Sequence, residues 1–232
     1  MVFKTNCVVE VEDINDKFKM TNKAILRCLQ NVSIKHADSV GYGLKNVVKN
    51  GCTLVLLEWS FEVLERPKYG EELEVSTWLR KSNRKFAYKD FEIYSGGVKK
   101  IVASSKWILL DLKTFKSIPV GKDVLAIYQP EEKVVLDDYE MLEQDNYDNK
   151  IDYFIRKSDI DVNGHVHNLN YSDMALEVLD GFKELDNFKI SYRKQIKYGD
   201  KIKINYTGID KKYYVKIVNE TNNELSSLIE MW

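Results

Sequence analysis

Two of the three histidines in this 232-residue chain fall in one eight-residue stretch, Asp161-Val162-Asn163-Gly164-His165-Val166-His167-Asn168. Aspartate, asparagine and histidine together can position and deprotonate a water molecule, histidine being the side chain suited to proton transfer near neutral pH. In an extended loop their alternate spacing sends Asp161, Asn163 and His165 toward one side, and Gly164 lets the backbone turn closely. A helical pattern follows. The N-terminus of that helix would offer unpaired N–H groups and partial positive charge to a carbonyl oxygen gaining negative charge. Other readings of the same residues stay open at this point. Asp, Asn and Gly cap helices in any protein, with Asn168 or Asn170 as the cap. Asp161, His165 and His167 are also metal-ligand types, without a further ligand at a recognised metal spacing. A covalent nucleophile has the least support, since no cysteine or serine elbow lies nearby.

The elements that must hold this loop are readable from periodicity. Ile25, Cys28, Leu29 and Val32 fall at i, i+3, i+4 and i+7, which predicts a helix over about 21–36 with Thr21 or Asn22 as its cap. The pattern then changes to period two. Val55, Leu57, Trp59, Phe61 and Val63 alternate with polar residues in a half-buried strand, and further strands are predicted over 73–79, 86–94 and 101–112. Lys68-Tyr69-Gly70-Glu71-x-Leu73-x-Val75 recurs as Lys197-Tyr198-Gly199-Asp200-x-Ile202-x-Ile204, 129 positions later. That recurrence, together with the order of elements around it, predicts two copies of one unit. In the second copy Tyr171, Met174, Val178 and Phe182 form the helical stripe. A long helix laid across a curved antiparallel sheet, twice over, is an α+β tandem hot-dog with the two sheets joined edge to edge. The expected division is a first unit over 1–118, an acidic Pro- and Gly-containing connection over 119–150, and a second unit over 151–232.

Composition narrows the function classes. The 35 Lys and Arg nearly balance the 36 Asp and Glu, so no whole-protein field favours nucleic acid. Hydrophobic residues make up 44% of the chain, enough for a packed core, yet no window is long and apolar enough to span a membrane. The acidic N-terminal stretch argues against a signal peptide, and Cys7, Cys28 and Cys52 form no C-x-x-C pair, so a reducing cytoplasm is expected.

The motifs also resemble a known family, the acyl-acyl carrier protein thioesterases, double hot-dog proteins of plants and bacteria. Asp161-x-Asn163-x-His165-Val166-x-Asn168-x-x-Tyr171 looks like the family's active-site loop, and Tyr192-x-x-Gln195-x-x-x-Gly199-Asp200 like the segment that follows. In the first half, Ala24 to Gln30 with His36-Ala37-Asp38-Ser39-Val40-Gly41 is similar to the family's first helix. Trp59, Pro67 to Glu71, Phe91 to Tyr94 and Trp107 to Leu112 continue the likeness through Ile118-Pro119, so that it covers about residues 3–232 in order. Three departures stand out. Gln195 replaces a glutamate and cannot take a proton, Ile196 stands where plant members have a cysteine, and His167 replaces an asparagine.

The resemblance implies hydrolysis of a fatty acyl-acyl carrier protein thioester, releasing free fatty acid, with no cofactor and no metal. It implies one active site per chain: His165 with Asp161 as general base, Asn163 orienting water or carbonyl, Gln195 holding the water, and the backbone at the second helix stabilising the oxyanion. The first copy would form the acyl pocket. Acyl carrier proteins are acidic, so Arg193, Lys194 and Lys197 are docking candidates. The expected partner is the acyl carrier protein, met by a monomer or homodimer, with no nucleic acid. An acyl-coenzyme A thioesterase and a non-hydrolytic acyl-binding protein are the alternatives.

Overall fold

The structure, a computed structural model, describes residues 1–81, 85–179, 181 and 184–232. The first copy begins with β1 (Phe3–Val8), α1 (Asn22–Ser39) and the short α2 (Val47–Asn50). Four strands follow, β2 (Cys52–Val63), β3 (Glu72–Leu79), β4 (Ala87–Ser95) and β5 (Val98–Asp111). The Thr21 hydroxyl accepts a hydrogen bond from the Ala24 N–H at 3.1 Å and so starts α1 as expected. Ile25, Leu29 and Val32 are buried on the inward face, joined by Leu26.

The predicted alternation along β2 fails at one point. The register with β5 shifts between Leu56 and Glu58, a bulge at Leu57. The extra residue switches which face points inward, so Leu56 is buried before it and Trp59, Phe61 and Val63 after it, while Leu57 is only half-buried.

After β6 (Ser117–Ile118) and α3 (Lys122–Tyr128), the second copy comprises β7 (Asn149–Phe154), α4 (Asn170–Leu176), β8 (Asn187–Tyr192), β9 (Lys201–Ile209), β10 (Lys212–Asn219) and β11 (Glu224–Met231). Its helix is much shorter than expected. Met174 and Val178 of the predicted stripe are buried, but α4 ends at Leu176, and Phe182 lies outside the described residues.

All strands join one antiparallel sheet in the order β1-β3-β4-β5-β2-β8-β11-β10-β9-β7, with β6 on β5. The two copies meet where β2 pairs β8, setting Trp59 opposite Ile190 and Phe61 opposite Phe188, whose rings stack at 5.3 Å. Both helices lie on one shared core that continues through this seam. The acidic connection crosses the opposite face. Trp78 Nε1 donates to the Lys133 carbonyl at 2.9 Å and Arg80 to that of Leu136 at 2.9 Å. Asp138 lies 3.2 Å from Lys106 and 3.6 Å from Lys189, one lysine from each copy, so the acidic run neutralises cations that straddle the seam.

Candidate active site

The loop ahead of α4 is a closed turn, not an extended segment. The Asp161 N–H donates to the His165 carbonyl at 2.8 Å, and the Gly164 N–H returns to the Asp161 carbonyl at 3.0 Å. Gly164 sits at φ +79°, where a side chain is disfavoured. Asp161 gathers the loop around its carboxylate, which accepts from the N–H of Asn163 at 2.8 Å, the N–H of His165 at 3.3 Å and Asn163 Nδ2 at 3.3 Å. Asp161, Asn163 and His165 are therefore brought together, by turn closure rather than by strand alternation. The Asp161 carboxylate grips the backbone of His165, not its ring. His165 Nδ1 is buried with no hydrogen-bond partner, an open acceptor or donor position inside the site.

Four neighbours hold this turn. The Asp159 carboxylate accepts from the Arg156 N–H at 2.7 Å, and the Asp159 carbonyl takes the His167 N–H at 2.8 Å and Asn170 Nδ2 at 3.1 Å. The Val166 N–H donates to the Ile196 carbonyl at 2.8 Å, which lashes the loop to the segment between β8 and β9. From below, the Tyr192 hydroxyl donates to the Asn168 carbonyl at 3.0 Å, with Tyr171 edge-on to its ring at 5.3 Å. Burial raises the Tyr171 and Tyr192 phenols, so both stay neutral hydrogen-bonding groups.

Val166 and Ile196 are buried, and His165 and Lys197 beside them form an isolated backbone bridge. Gln195 and Lys197 are exposed, as are Arg193 and Lys194. Val162, at the tip of the turn, is fully exposed. The metal reading does not fit this geometry. His167 Nδ1 accepts the Leu169 N–H at 3.2 Å and the Asp161 carboxylate is spent on its own loop. Among the described residues no group of three His, Cys, Asp or Glu side chains is placed to hold a metal ion.

The oxyanion role predicted for the second helix is also narrowed. In its first turn the Asn170 and Ser172 N–H groups donate to the carbonyls of His167 and Leu169, and Leu169 N–H is taken by His167, so three of the expected donors are already engaged. Next to this turn, Lys23 of α1 and Asp173 of α4 pair at 2.5 Å across a cleft of about 230 Å³ lined by Leu176, Leu179, Phe188 and Met231.

A second copy of the turn, which periodicity did not disclose, lies ahead of α1. The Asn15 N–H donates to the Lys19 carbonyl at 2.9 Å and the Phe18 N–H to the Asn15 carbonyl at 3.0 Å. Asn15 Oδ1 accepts from the N–H groups of Lys17 at 3.0 Å and Lys19 at 3.2 Å, and the Met20 N–H donates to the Pro67 carbonyl at 2.8 Å. Each bond has its counterpart at Asp161, Asn163, Gly164, His165 and Val166. Even the left-handed residue recurs, as Phe18 at φ +57°. The signal was present as Asp13-Ile14-Asn15 against Asp159-Ile160-Asp161, but at an offset of 146 rather than 129. The second copy is thus shorter between loop and turn, which is where α4 loses its length. One backbone device carries Asn15, Lys17 and Lys19 in the first copy and Asp161, Asn163 and His165 in the second.

Two helix-bearing antiparallel sheets merged edge to edge, with a polar turn at the head of each helix, define a tandem hot-dog. The acyl-ACP thioesterase N-terminal domain model matches residues 1–128 and the C-terminal domain model residues 142–231. The chain belongs to the acyl-ACP thioesterase family. An oleoyl-acyl carrier protein thioesterase of Coriandrum sativum is 23% identical over 222 residues, covering 85% of this chain and 60% of that protein. An acyl-[acyl-carrier-protein] hydrolase of Cuphea viscosissima is 25% identical over 219 residues, 84% of this chain and 52% of its own length. The chain thus spans about half to three-fifths of these relatives. The crystal structure of an acyl-ACP thioesterase from Bacteroides thetaiotaomicron superposes with a TM-score of 0.89 at 20% identity, over 99% of this chain and 96% of that one. Among the described residues no helix is long and apolar enough to cross a membrane.

Proposed function

We propose that this protein hydrolyses the thioester between a fatty acyl chain and the pantetheine arm of acyl carrier protein, in the cytoplasm, using one active site per chain. The carrying observation is the pair of turns with matching backbone hydrogen bonds. The same hydrogen bonds hold both, yet only the second presents a carboxylate, a carboxamide and an imidazole with an unpartnered buried nitrogen. Backbone need alone does not require that chemistry, since Asn15, Lys17 and Lys19 satisfy the same backbone.

In this mechanism His165 takes the proton from the attacking water. Asp161 fixes the turn on which His165 stands, and Asn163 orients the water or the thioester carbonyl. Gln195 supplies hydrogen bonds to the water but no base. The first copy, lacking the catalytic set, contributes the acyl pocket. The decisive experiment is release of free thiol from acyl-acyl carrier protein and acyl-coenzyme A by the purified protein. Release faster from the carrier supports the reading, preference for coenzyme A shifts the substrate, and hydrolysis of neither would leave an acyl-binding protein.

Two predictions belong to this site. Gln195→Glu is tolerated and Gln195→Ala slows turnover across the pH range, because the carboxamide holds water without titrating; full activity of Gln195→Ala at every pH removes Gln195 from the site. Charge reversal at Arg193, Lys194 and Lys197 raises KM for the carrier substrate at low salt and leaves small thioesters unaffected, because exposed charges chiefly speed encounter with an acidic partner. Equal kinetics for both substrates would retire the patch.

A further inference from the structure

Cys7 and Cys28 take no part in this chemistry, and they touch. Cys7 belongs to β1, the edge strand of the sheet, on the side of the strand that alternates inward with Phe3 and Thr5. Cys28 belongs to α1, in the apolar stripe that β1 helps to cover. Their sulfur atoms lie 3.4 Å apart, both as free thiols, across 21 positions of sequence. Two neighbouring thiols on different elements, one of them half open to solvent, are the arrangement that thiol–disulfide exchange needs.

We propose that Cys7 and Cys28 are a reversible modification site, oxidised to an intramolecular disulfide by small-molecule disulfides of the glutathione type. The Cys7 thiolate attacks the external disulfide, forming a mixed disulfide and releasing one small thiolate. The Cys28 sulfur, giving up its proton, then attacks the Cys7 sulfur and expels the second small thiolate. Two protein thiols lose two electrons and two protons, and one external disulfide becomes two thiols. The order follows from the local chemistry. The sulfur–sulfur contact, in which either thiol can donate, lowers the Cys7 thiol from its ordinary pKa and, together with burial, holds Cys28 well above. Cys7 is the attacking sulfur and Cys28 the resolving one.

The bond would fasten β1 to α1 and close a ring around the Asn15–Lys19 turn. In the reduced protein that edge is held by its strand pairing with β3, by side-chain packing, and by the ion pairs of Lys4 with Glu74 and of the Met1 ammonium with Glu131. Closing the ring restricts the unfolded chain and raises the thermal midpoint. Cys52, half-buried on β2 and raised in pKa by burial, is the internal control.

The test is to titrate the full chain with glutathione disulfide and count thiols and intact mass. The expected result is loss of two of the three thiols, a mass decrease of about 2 Da, a Cys7–Cys28 cross-linked peptide, and a higher thermal midpoint that dithiothreitol reverses. Cys52→Ser behaves the same way. Cys28→Ser stops at a glutathione adduct on Cys7, and Cys7→Ser forms no cross-link. Retention of all three thiols, or adducts and intermolecular bonds without the Cys7–Cys28 peptide, would overturn the proposal.

Discussion

His165→Ala lowers kcat for an acyl thioester by about 10²-fold or more, the usual contribution of a general base. Asn163→Ala lowers it to a similar extent by releasing the group that orients water or carbonyl. Both variants keep the fold, because backbone bonds and the Asp161 carboxylate hold the turn, and Asn163→Ala forfeits only the 3.3 Å bond from Asn163 Nδ2 to Asp161. The His165 ring makes no structural bond through Nδ1 that alanine would forfeit. The measurement is kcat and KM on one substrate, with thermal unfolding as the check on integrity. A loss confined to kcat marks a role in the transition state. Wild-type rates in both variants would show the turn to be structural only. Asp161→Asn separates the two duties of this loop. It keeps an acceptor for the N–H groups of Asn163 and His165, as Asn15 does in the first copy, while removing the charge.

Lys89→Met stabilises the protein near neutral pH by on the order of 3 kcal/mol, and the gain fades as pH rises. Lys89 is fully buried on the inner face of β4. Its ammonium reaches the Ser33 carbonyl at 2.9 Å and hydroxyl at 3.0 Å, and the Tyr128 ring lies 5.4 Å away; these are neutral groups of α1 and α3. Burial pushes its pKa down to about 7. An unfolded lysine titrates near ~10.4, so between about pH 7 and that value the unfolded chain binds the extra proton and stability rises with pH. Below about pH 7 both states are protonated and the burial penalty is fully present. A methionine of similar reach carries no such penalty, so its advantage is largest at and below neutrality and vanishes toward pH 10. Urea midpoints of both proteins at pH 7 and pH 10 give the answer. A methionine variant that is less stable at pH 7 would mean the Ser33 bonds outweigh desolvation. His36 belongs to the same interior. It stacks on Phe3 at 5.4 Å with neither ring nitrogen bonded, and burial lowers its pKa to about 3. It stays neutral through the range in which an unfolded histidine gains its proton, so it too weakens the fold as pH falls from the neutral range toward 3.

What the sequence by itself determined was local and periodic. The helical spacing of Ile25, Leu29 and Val32 placed α1 to within a few residues and offered Thr21 or Asn22 as its cap, of which the structure selects Thr21, and period two placed β3, β4 and β5. The repeat at Lys68 and Lys197 disclosed the tandem architecture, because two copies of one unit must repeat the turn that feeds the same strand. Asp161, Asn163 and His165 stood out because unusual side chains were concentrated in eight positions.

Tertiary structure decided the rest. The bulge at Leu57 depends on pairing with β5, and no alternation within β2 reveals it. The length of α4 was set by how much chain remained between its loop and the Lys197 turn, whereas the apolar stripe continued past its end. The grouping of the site residues came from the Asp161 carboxylate closing the turn, a set of bonds that spacing alone represented as an extended segment. The twin turn at Asn15 to Lys19 shares almost no side-chain chemistry with the candidate site, because what is repeated is the backbone hydrogen bonding. The Cys7–Cys28 contact joins successive elements across 21 positions, and Lys89 reaches Ser33 across 56. Such pairings follow from packing two elements together, which no periodicity within either one encodes.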